Sequence, residues 1–364
     1  MTNDSLYMRR ALDLAALGRG SVSPNPMVGC VIVHNDQIIG EGWHQRYGDW
    51  HAEVNAINSV GAGLASAQQE PISGQAVGRR LAPPLQESTV YVTLEPCSHF
   101  GKTPPCADLL IEKQVKKVVI CNDDPNPLVA GKGIQKLRDA GIEVITGVLA
   151  EEGRKLNARF FTFFEKKRPY IILKWAETAD GFIADENKQP LAISCLQSRT
   201  LSHQWRTQED AILVGTNTAL NDDPKLNARL WAGPDPIRIV LDRTLRLPRE
   251  LHLFDNTQKT ICYNAFSNEE EGETTFVQID FDENFLPHLF KDFHSRKIQS
   301  VLVEGGSQLL QAFLNDGHFD EIRMFKSPNA IGKGTSAPLL PTGVRFTDQA
   351  KIGTDWLTCY RKYE

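Results

Sequence analysis

The sequence has no apolar run long enough to cross a bilayer as a helix, which takes about 20 residues. Residues 1–16 set Asp4, Arg9, Arg10 and Asp13 among leucines and alanines, an amphipathic pattern that excludes a signal-peptide core. There is no basic excess: 40 Lys and Arg against 45 Asp and Glu give a formal net charge of -5. With no tract of interleaved basic and aromatic residues, that balance argues against nucleic acid as a partner. It leaves room for a small phosphorylated ligand held by a few local arginines. The seven cysteines, an odd number at irregular spacing, do not make a secreted disulfide framework. No G-x-G-x-x-G follows the first strand of the second half, so a Rossmann domain is not expected there. A cytoplasmic chain is the expectation that remains, and its 364 residues suffice for two domains, each with its own core.

What is present is a set of zinc-type ligands in two short stretches that would have to meet in space. One is His51-Ala52-Glu53; the other runs from Pro96 to Cys106 and contains Cys97 and Cys106. An imidazole nitrogen and two thiolates suit a borderline-soft zinc ion, and three protein ligands leave a fourth position for water. Glu53 is not needed as a ligand and is free to move that water's proton to a leaving amine. A lone His-x-Glu is ordinary surface polarity, and paired cysteines are ordinarily buried small hydrophobes. It is the joint pattern of types, order and flanking prolines that points to a hydrolytic site. The remaining five cysteines, Cys30, Cys121, Cys195, Cys262 and Cys359, read as buried thiols.

Read in order, the pattern predicts a helix over 4–17 and a hairpin over 30–40. A helix over 52–60 follows, with His51 and Glu53 at its N-terminus, where the helix dipole favours negative charge. Residues 61–88, rich in Gly, Ala, Gln, Ser and Pro without a sustained period, read as an irregular loop. Strands are expected at 89–94, 115–121 and 142–148, with helices over 106–113 and 131–140. That order suggests an α/β sheet covered on both faces. A charged helix over 151–167 follows, and the domain boundary is expected just before it, giving 1–148 and 149–364. In the second half, strands are expected at 169–176, 211–215, 237–241, 260–263 and 300–303, and helices at 198–207 and 308–314.

The zinc-dependent base deaminases carry H-x-E followed by P-C-x-x-C, with the glutamate as proton shuttle. This chain departs from that pattern by placing eight residues between its cysteines. The longer form resembles the bifunctional deaminase–reductases of riboflavin biosynthesis, the RibD family, whose pattern E-P-C-S-H-x-G-x-T-P-P-C is matched from Glu95 to Cys106. The resemblance implies a cytidine-deaminase-like N-terminal domain. It also puts Asn25, His44 and Lys102 at the substrate, although Asn25 between two prolines is equally a plain turn former. RibD-like sequences cross the 61–88 interval more directly, so this stretch looks like an insertion.

The resemblance extends through the second half. Lys174 to Gly181 reads K-x-A-x-x-x-D-G, and Thr218 to Arg229 reads T-x-x-x-D-D-P-x-L-x-x-R. Val301 to Ser307 runs strand, glycine pair, helix start, a geometry that offers backbone N–H groups to phosphate. The fold implied is dihydrofolate-reductase-like and the cofactor NADPH, lying along Ala176, Ala192, Thr218, Asp222 and Gly306. Arg206, Leu226, Arg229 and Glu304 would face the substrate's ribose phosphate. One departure stands out: where the family carries S-x-W-I-[ST], this chain has Pro190 to Ser194, with Ala192 in place of the tryptophan.

The function these resemblances imply is two consecutive steps of riboflavin synthesis on phosphorylated pyrimidines: zinc-dependent deamination, then NADPH-dependent reduction. Two other readings stay open at this level. One is a single-function zinc nucleoside or base deaminase with a structural C-terminal half; the other is a zinc-stabilised binding protein. Whether copies of the chain associate is not legible.

Overall fold

The computed structural model describes residues 2–60, 85–99, 104–187 and 191–363. It divides into two compact units, Met1–Lys166 and Lys167–Glu364. The division falls later than the boundary expected at residue 149. Two helices, Ala150–Leu156 and Ala158–Lys166, replace the single one expected and fold back onto the first unit. The break between them is Asn157, a buried side chain that accepts from the Met27 N–H and donates to the Met27 carbonyl, both at 2.8 Å. Phe160 and Phe161 then bury against Leu94.

In the first unit, α1 (Asn3–Ala16) precedes the antiparallel pair β1 (Gly29–His34) and β2 (Gln37–Trp43). Next come α2 (Ala52–Ser59), β3 (Thr89–Leu94), α3 (Cys106–Glu112), β4 (Lys117–Asn122), α4 (Lys132–Asp139) and β5 (Glu143–Thr146), with α5 (Ala150–Leu156) and α6 (Ala158–Lys166) last. The five strands form one sheet in the order β2-β1-β3-β4-β5, with β3, β4 and β5 parallel. Side chains alternate across it as a period of two requires. Cys30, Ile32, Val90, Val92, Val118 and Ile120 enter one core, and Val31, Val33, Tyr91, Val119 and Cys121 enter the other. Residues 61–84 of the expected irregular loop lie outside the described residues. Its last part holds a single 3₁₀ turn, Leu85–Glu87.

The second unit opens with β6 (Tyr170–Glu177), β7 (Phe182–Asp185), α7 (Leu196–Arg206), β8 (Ala211–Gly215), α8 (Thr216–Asp222), β9 (Ile237–Leu241) and β10 (Thr260–Asn264). It continues with β11 (Glu269–Glu271), β12 (Thr274–Gln278), α9 (Phe285–Ser295), β13 (Ser300–Val303) and α10 (Ser307–Asp316). It ends with β14 (Glu321–Lys326), β15 (Gly334–Ser336), β16 (Val344–Ile352) and β17 (Asp355–Lys362). Ten strands make one sheet, β11-β12-β10-β9-β8-β13-β6-β14-β17-β16, parallel from β12 to β14, with antiparallel pairings outside that run. Ala211 and Leu213 face α9 and α10, whereas Ile212 and Val214 face the opposite core. The α/β class of both halves is the one the resemblance implies. Among the described residues, no helix is long and apolar enough to cross a membrane.

Candidate active sites

Gly42 of β2 lets α2 lie directly on the sheet, since a Cβ there would stand 2.3 Å from the Ala56 nitrogen. That packing brings the N-terminus of α2 to the end of the sheet where β3 runs into Pro96 and Cys97. His51 is the N-cap of α2, in an extended conformation, and Glu53 is buried in the first turn. Cys106 opens α3. The His51 Nδ1 lies 3.2 Å from the Cys106 Sγ and 3.6 Å from the Cys97 Sγ, and the Cys106 N–H donates to the Cys97 Sγ at 3.3 Å. The three ligand atoms all lie within 4.8 Å of one another. Zinc bonds of about 2.0–2.3 Å would set such donors ~3.5 Å apart, so the donor set fits one tetrahedral ion in both chemistry and spacing.

The local electrostatics suit thiolate ligands. A hydrogen bond from Cys106 and another from His51 hold the Cys97 thiol far below the usual range, at about 4. The same contact with Cys97, reinforced by burial, pushes Cys106 up, so the first thiolate forms at Cys97. Burial also raises the Glu53 carboxyl, against the pull of His51. A buried carboxyl whose proton affinity is raised beside a ligand cluster is suited to exchanging protons.

Asn25 and His44 do stand beside this cluster. The rings of His44 and His51 meet edge to face at 5.6 Å, and the Asn25 Nδ2 lies 3.1 Å from the His44 Nε2. On its other side the His44 Nδ1 lies 3.0 Å from the Trp50 carbonyl, which can only accept. His44 is therefore protonated at Nδ1 and accepts at Nε2, consistent with burial lowering its proton affinity. The Asn25 amide nitrogen is thereby turned to His44, and its oxygen is left to accept. Lys102 lies outside the described residues.

Two residues here had only a motif as a signal. Glu95, the first letter of E-P-C, is buried and accepts four backbone N–H bonds. Asp124, in Asn122-Asp123-Asp124-Pro125, is buried near Glu95 and Cys97, and burial raises its carboxyl to about 7. A perturbed carboxyl at a ligand cluster marks a functional candidate, which a sequence cannot reveal.

The second unit holds a separate charged cluster. Glu304, just past β13, receives a two-pronged contact from Arg206 on α7: Nε to Oε1 at 3.0 Å and Nη2 to Oε2 at 2.8 Å. The Lys174 Nζ of β6 lies 3.7 Å from the same Oε2. All three side chains are buried or nearly so. Burial alone would raise the Glu304 carboxyl, but Arg206 and then Lys174 pull it down to about 2. On Lys174 burial outweighs its partner and lowers its proton affinity. Arg206 also donates from Nη1 to the Asn227 carbonyl at 2.9 Å, so three of its five N–H donors are committed to the protein. The expectation that its fork faces a phosphate is therefore weakened. Arg229 is freer, donating to the Asn227 Oδ1 at 3.0 Å from an exposed position.

Leu226 departs further from expectation. Its side chain is buried in the core with Ile212, Val214 and Val240, at a left-handed φ of 51°. Any contact with substrate would come from its backbone. His203 was missed: one turn before Arg206 on the same helix face, it is buried, and burial with Arg206 and Arg229 lowers its imidazole to about 4.

The glycine pair behaves as a cradle. A Cβ on Gly305 would stand 2.5 Å from the Val214 Cα, so only glycine lets the start of α10 approach the end of β8. Gly306, the N-cap at φ 61°, brings no side-chain cap to α10, and the Thr218 Oγ1 would meet its Cβ at 3.1 Å. Thr218 and Gly306 are thus brought together around uncapped N–H groups, an arrangement fitting a cofactor phosphate. Asp222 ends α8 at an exposed position, and Ala176 lies on β6 beside Lys174 and Trp175. Ala192 is exposed, next to residues 188–190, which are outside the described set.

Two family models match the chain: the cytidine and deoxycytidylate deaminase zinc-binding region over residues 1–122, and the RibD C-terminal domain over residues 169–357. The riboflavin biosynthesis protein RibD of Aquifex aeolicus (strain VF5) is 38% identical over 99% of this chain and 99% of that protein. Among solved structures, a diaminohydroxyphosphoribosylaminopyrimidine deaminase/5-amino-6-(5-phosphoribosylamino)uracil reductase from Thermotoga maritima matches with a TM-score of 0.86 at 36% identity, covering 99% of both chains. Acinetobacter baumannii RibD matches with a TM-score of 0.85 at 32% identity, over 100% of this chain and 99% of that one.

Proposed function

Because the chain belongs to the RibD family of riboflavin-biosynthesis deaminase–reductases, we propose that its two ligand-ready clusters divide the family's two reactions between them. The enzyme is bifunctional: it hydrolytically deaminates 2,5-diamino-6-(5-phosphoribosylamino)pyrimidin-4-one and reduces the resulting 5-amino-6-(5-phosphoribosylamino)uracil with NADPH. A merely structural second half does not fit a reductase-family match across residues 169–357.

In the first reaction water and the exocyclic amine exchange places at C2, so the water oxygen becomes a carbonyl and the nitrogen leaves as ammonia. His51, Cys97 and Cys106 would hold a zinc ion, which would supply the Lewis acidity that makes water nucleophilic near neutral pH. Glu53 takes the proton from that water and delivers it to the leaving nitrogen. Asn25, turned by His44, offers its oxygen to an N–H of the base, and Lys102 joins the substrate side.

In the second reaction Ala176, Ala192, Thr218, Asp222 and Gly306 would hold NADPH, whose chemistry would be to provide the hydride that C1′ of the ribose takes up. Arg229 binds the ribose phosphate, with Arg206 and the Leu226 backbone shaping the pocket around it. Glu304, its charge balanced by Arg206 and Lys174, keeps lone pairs for ribose hydroxyls. Lys174, inclined by burial to give up a proton, is the group in this cluster able to supply one. The substrates are small phosphorylated pyrimidines, and the free cysteines fit a reducing cytoplasm.

The observation that carries this reading is the convergence of His51, Cys97 and Cys106 within 4.8 Å beside the buried Glu53. The test supplies the diaminopyrimidine phosphate without NADPH, then with it. Ammonia should appear in both cases, and NADPH absorbance should fall only once deamination has run. NADPH consumption with no ammonia release would reverse the order of the two steps.

A further inference from the structure

Glu95 is the last residue before the Pro96–Cys97 turn, and its hydrogen bonds among the described residues all come from backbone N–H groups. Its Oε2 accepts from the N–H of Asp124 at 3.3 Å and of Gly131 at 2.9 Å, and its Oε1 from the N–H of Gly133 at 2.9 Å and of Ile134 at 3.2 Å. Two carboxylate oxygens offer about four acceptor sites, and these four N–H bonds occupy them. Gly133 and Ile134 lie in the first turn of α4, whose N-cap, Gly131, brings no side-chain cap. Glu95 therefore acts as a cap reaching in from another segment of chain. Asp124 belongs to the loop between β4 and α4.

The same turn touches α4 a second way. A Cβ on Gly133 would stand 1.9 Å from the Pro96 carbonyl oxygen, so helix and turn meet with no space for even a methyl group. From its other side, Cys97 is held by α3: its carbonyl accepts the Ala107 N–H at 3.1 Å, and its sulfur accepts the Cys106 N–H. Cys97 is thus clamped between two helix N-termini, and on the α4 side the clamp is the Glu95 carboxylate.

We infer that Glu95 is a positioning residue for deamination, a clasp that fixes Cys97 relative to the 124–131 loop and its buried Asp124. The inference rests on the reading of Cys97 as a zinc ligand. It differs from a purely structural role in what it predicts for protein that is still folded. A residue that only stabilised the fold would, when replaced, lower the melting temperature and leave metal retention and turnover of the folded enzyme untouched.

Two substitutions strain the clasp from opposite ends in the full-length, zinc-loaded protein. E95Q keeps the size but turns one oxygen into an amide nitrogen that cannot accept and meets N–H groups head on. G133A leaves the carboxylate alone and drives a methyl group into the Pro96 carbonyl. The measurements are the rate of zinc transfer to a chromogenic chelator and the kcat of ammonia release. Both are taken at a temperature well below the first unit's own melting transition, where its near-UV circular dichroism is wild-type. We expect each variant to lose zinc about 10- to 100-fold faster and to lose kcat by a similar factor, as for other groups that orient metal ligands. Should E95Q not accumulate in soluble form, G133A decides by the same criteria. Folded variants with wild-type zinc release and kcat, in a protein that binds zinc through Cys97, would overturn the clasp alone. A wild-type protein without zinc, or a C97S variant that keeps it, would overturn the zinc assignment and the clasp with it.

Discussion

Replacing Glu304 with glutamine removes the one negative charge among the buried Lys174, Arg206 and Glu304 side chains without changing their packing. Two routes to the magnitude agree. The Glu304 carboxyl is pulled from 4.5 to about 2, and at about 1.4 kcal/mol per factor of ten that gap is worth about 3 kcal/mol at neutral pH. Breaking a buried ion pair by removing one partner costs about 3–5 kcal/mol. Lys174, already inclined by burial to shed its proton, can do so in the variant, which holds the loss near the lower figure. The pH dependence follows the depressed carboxyl. Its stabilisation is fully present above 4.5 and is lost as pH falls from there through about 2. E304Q should therefore shift the second unit's urea midpoint, followed by the fluorescence of its buried Trp175 and Trp205, by the equivalent of about 3 kcal/mol at pH 7, with the gap to wild type closing below pH 4. Ammonia release, assayed on the same samples, should keep its own midpoint. A variant within about 1 kcal/mol of wild type at pH 7, or a gap that widens in acid, would refute the view that this carboxylate balances two buried cations.

Glu53→Gln should retain its zinc by metal analysis yet release ammonia about 10²- to 10⁴-fold more slowly, while reducing supplied deaminated substrate normally. Cys97→Ser, by contrast, should lose the metal. Arg229→Ala should weaken binding of the reductase substrate about 10- to 150-fold, the worth of a charge-assisted bond of roughly 1.5–3 kcal/mol. Its NADPH affinity, read by fluorescence titration, should hold, and a variant impaired in NADPH binding alone would assign this arginine to the other ligand. Asn157→Ala leaves the Met27 N–H and carbonyl buried without partners, at about 1–3 kcal/mol each. It should lower the denaturant midpoint of deamination and raise its KM through the neighbouring Asn25 turn.

Features that depend on which residue types occur, and at what spacing, were open to reading from the sequence. The short, mostly apolar runs at 89–94, 211–215, 237–241 and 300–303 appear as strands with those bounds, because each is buried on both faces and flanked by turn formers. The zinc ligands were legible because His, Cys and Cys with a non-ligand Glu have few other uses in one pattern. The edge strand β16 was not, since a strand whose side chains mostly face solvent carries little alternation. Nor was the boundary: whether Ala150–Lys166 belongs to the first unit or the second depends on the Asn157 contact with Met27, 130 residues away in sequence. Arg206 is a similar case. Its sequence pattern says only that a guanidinium is present, and the fold decided that Glu304 and the Asn227 carbonyl take most of its donors. Composition and spacing thus determined the chemistry on offer in each half. Which atoms that chemistry is spent on, as with the four N–H groups gathered by Glu95, was decided by long-range packing, because hydrogen-bond capacity is used up by whatever the fold brings within 3 Å.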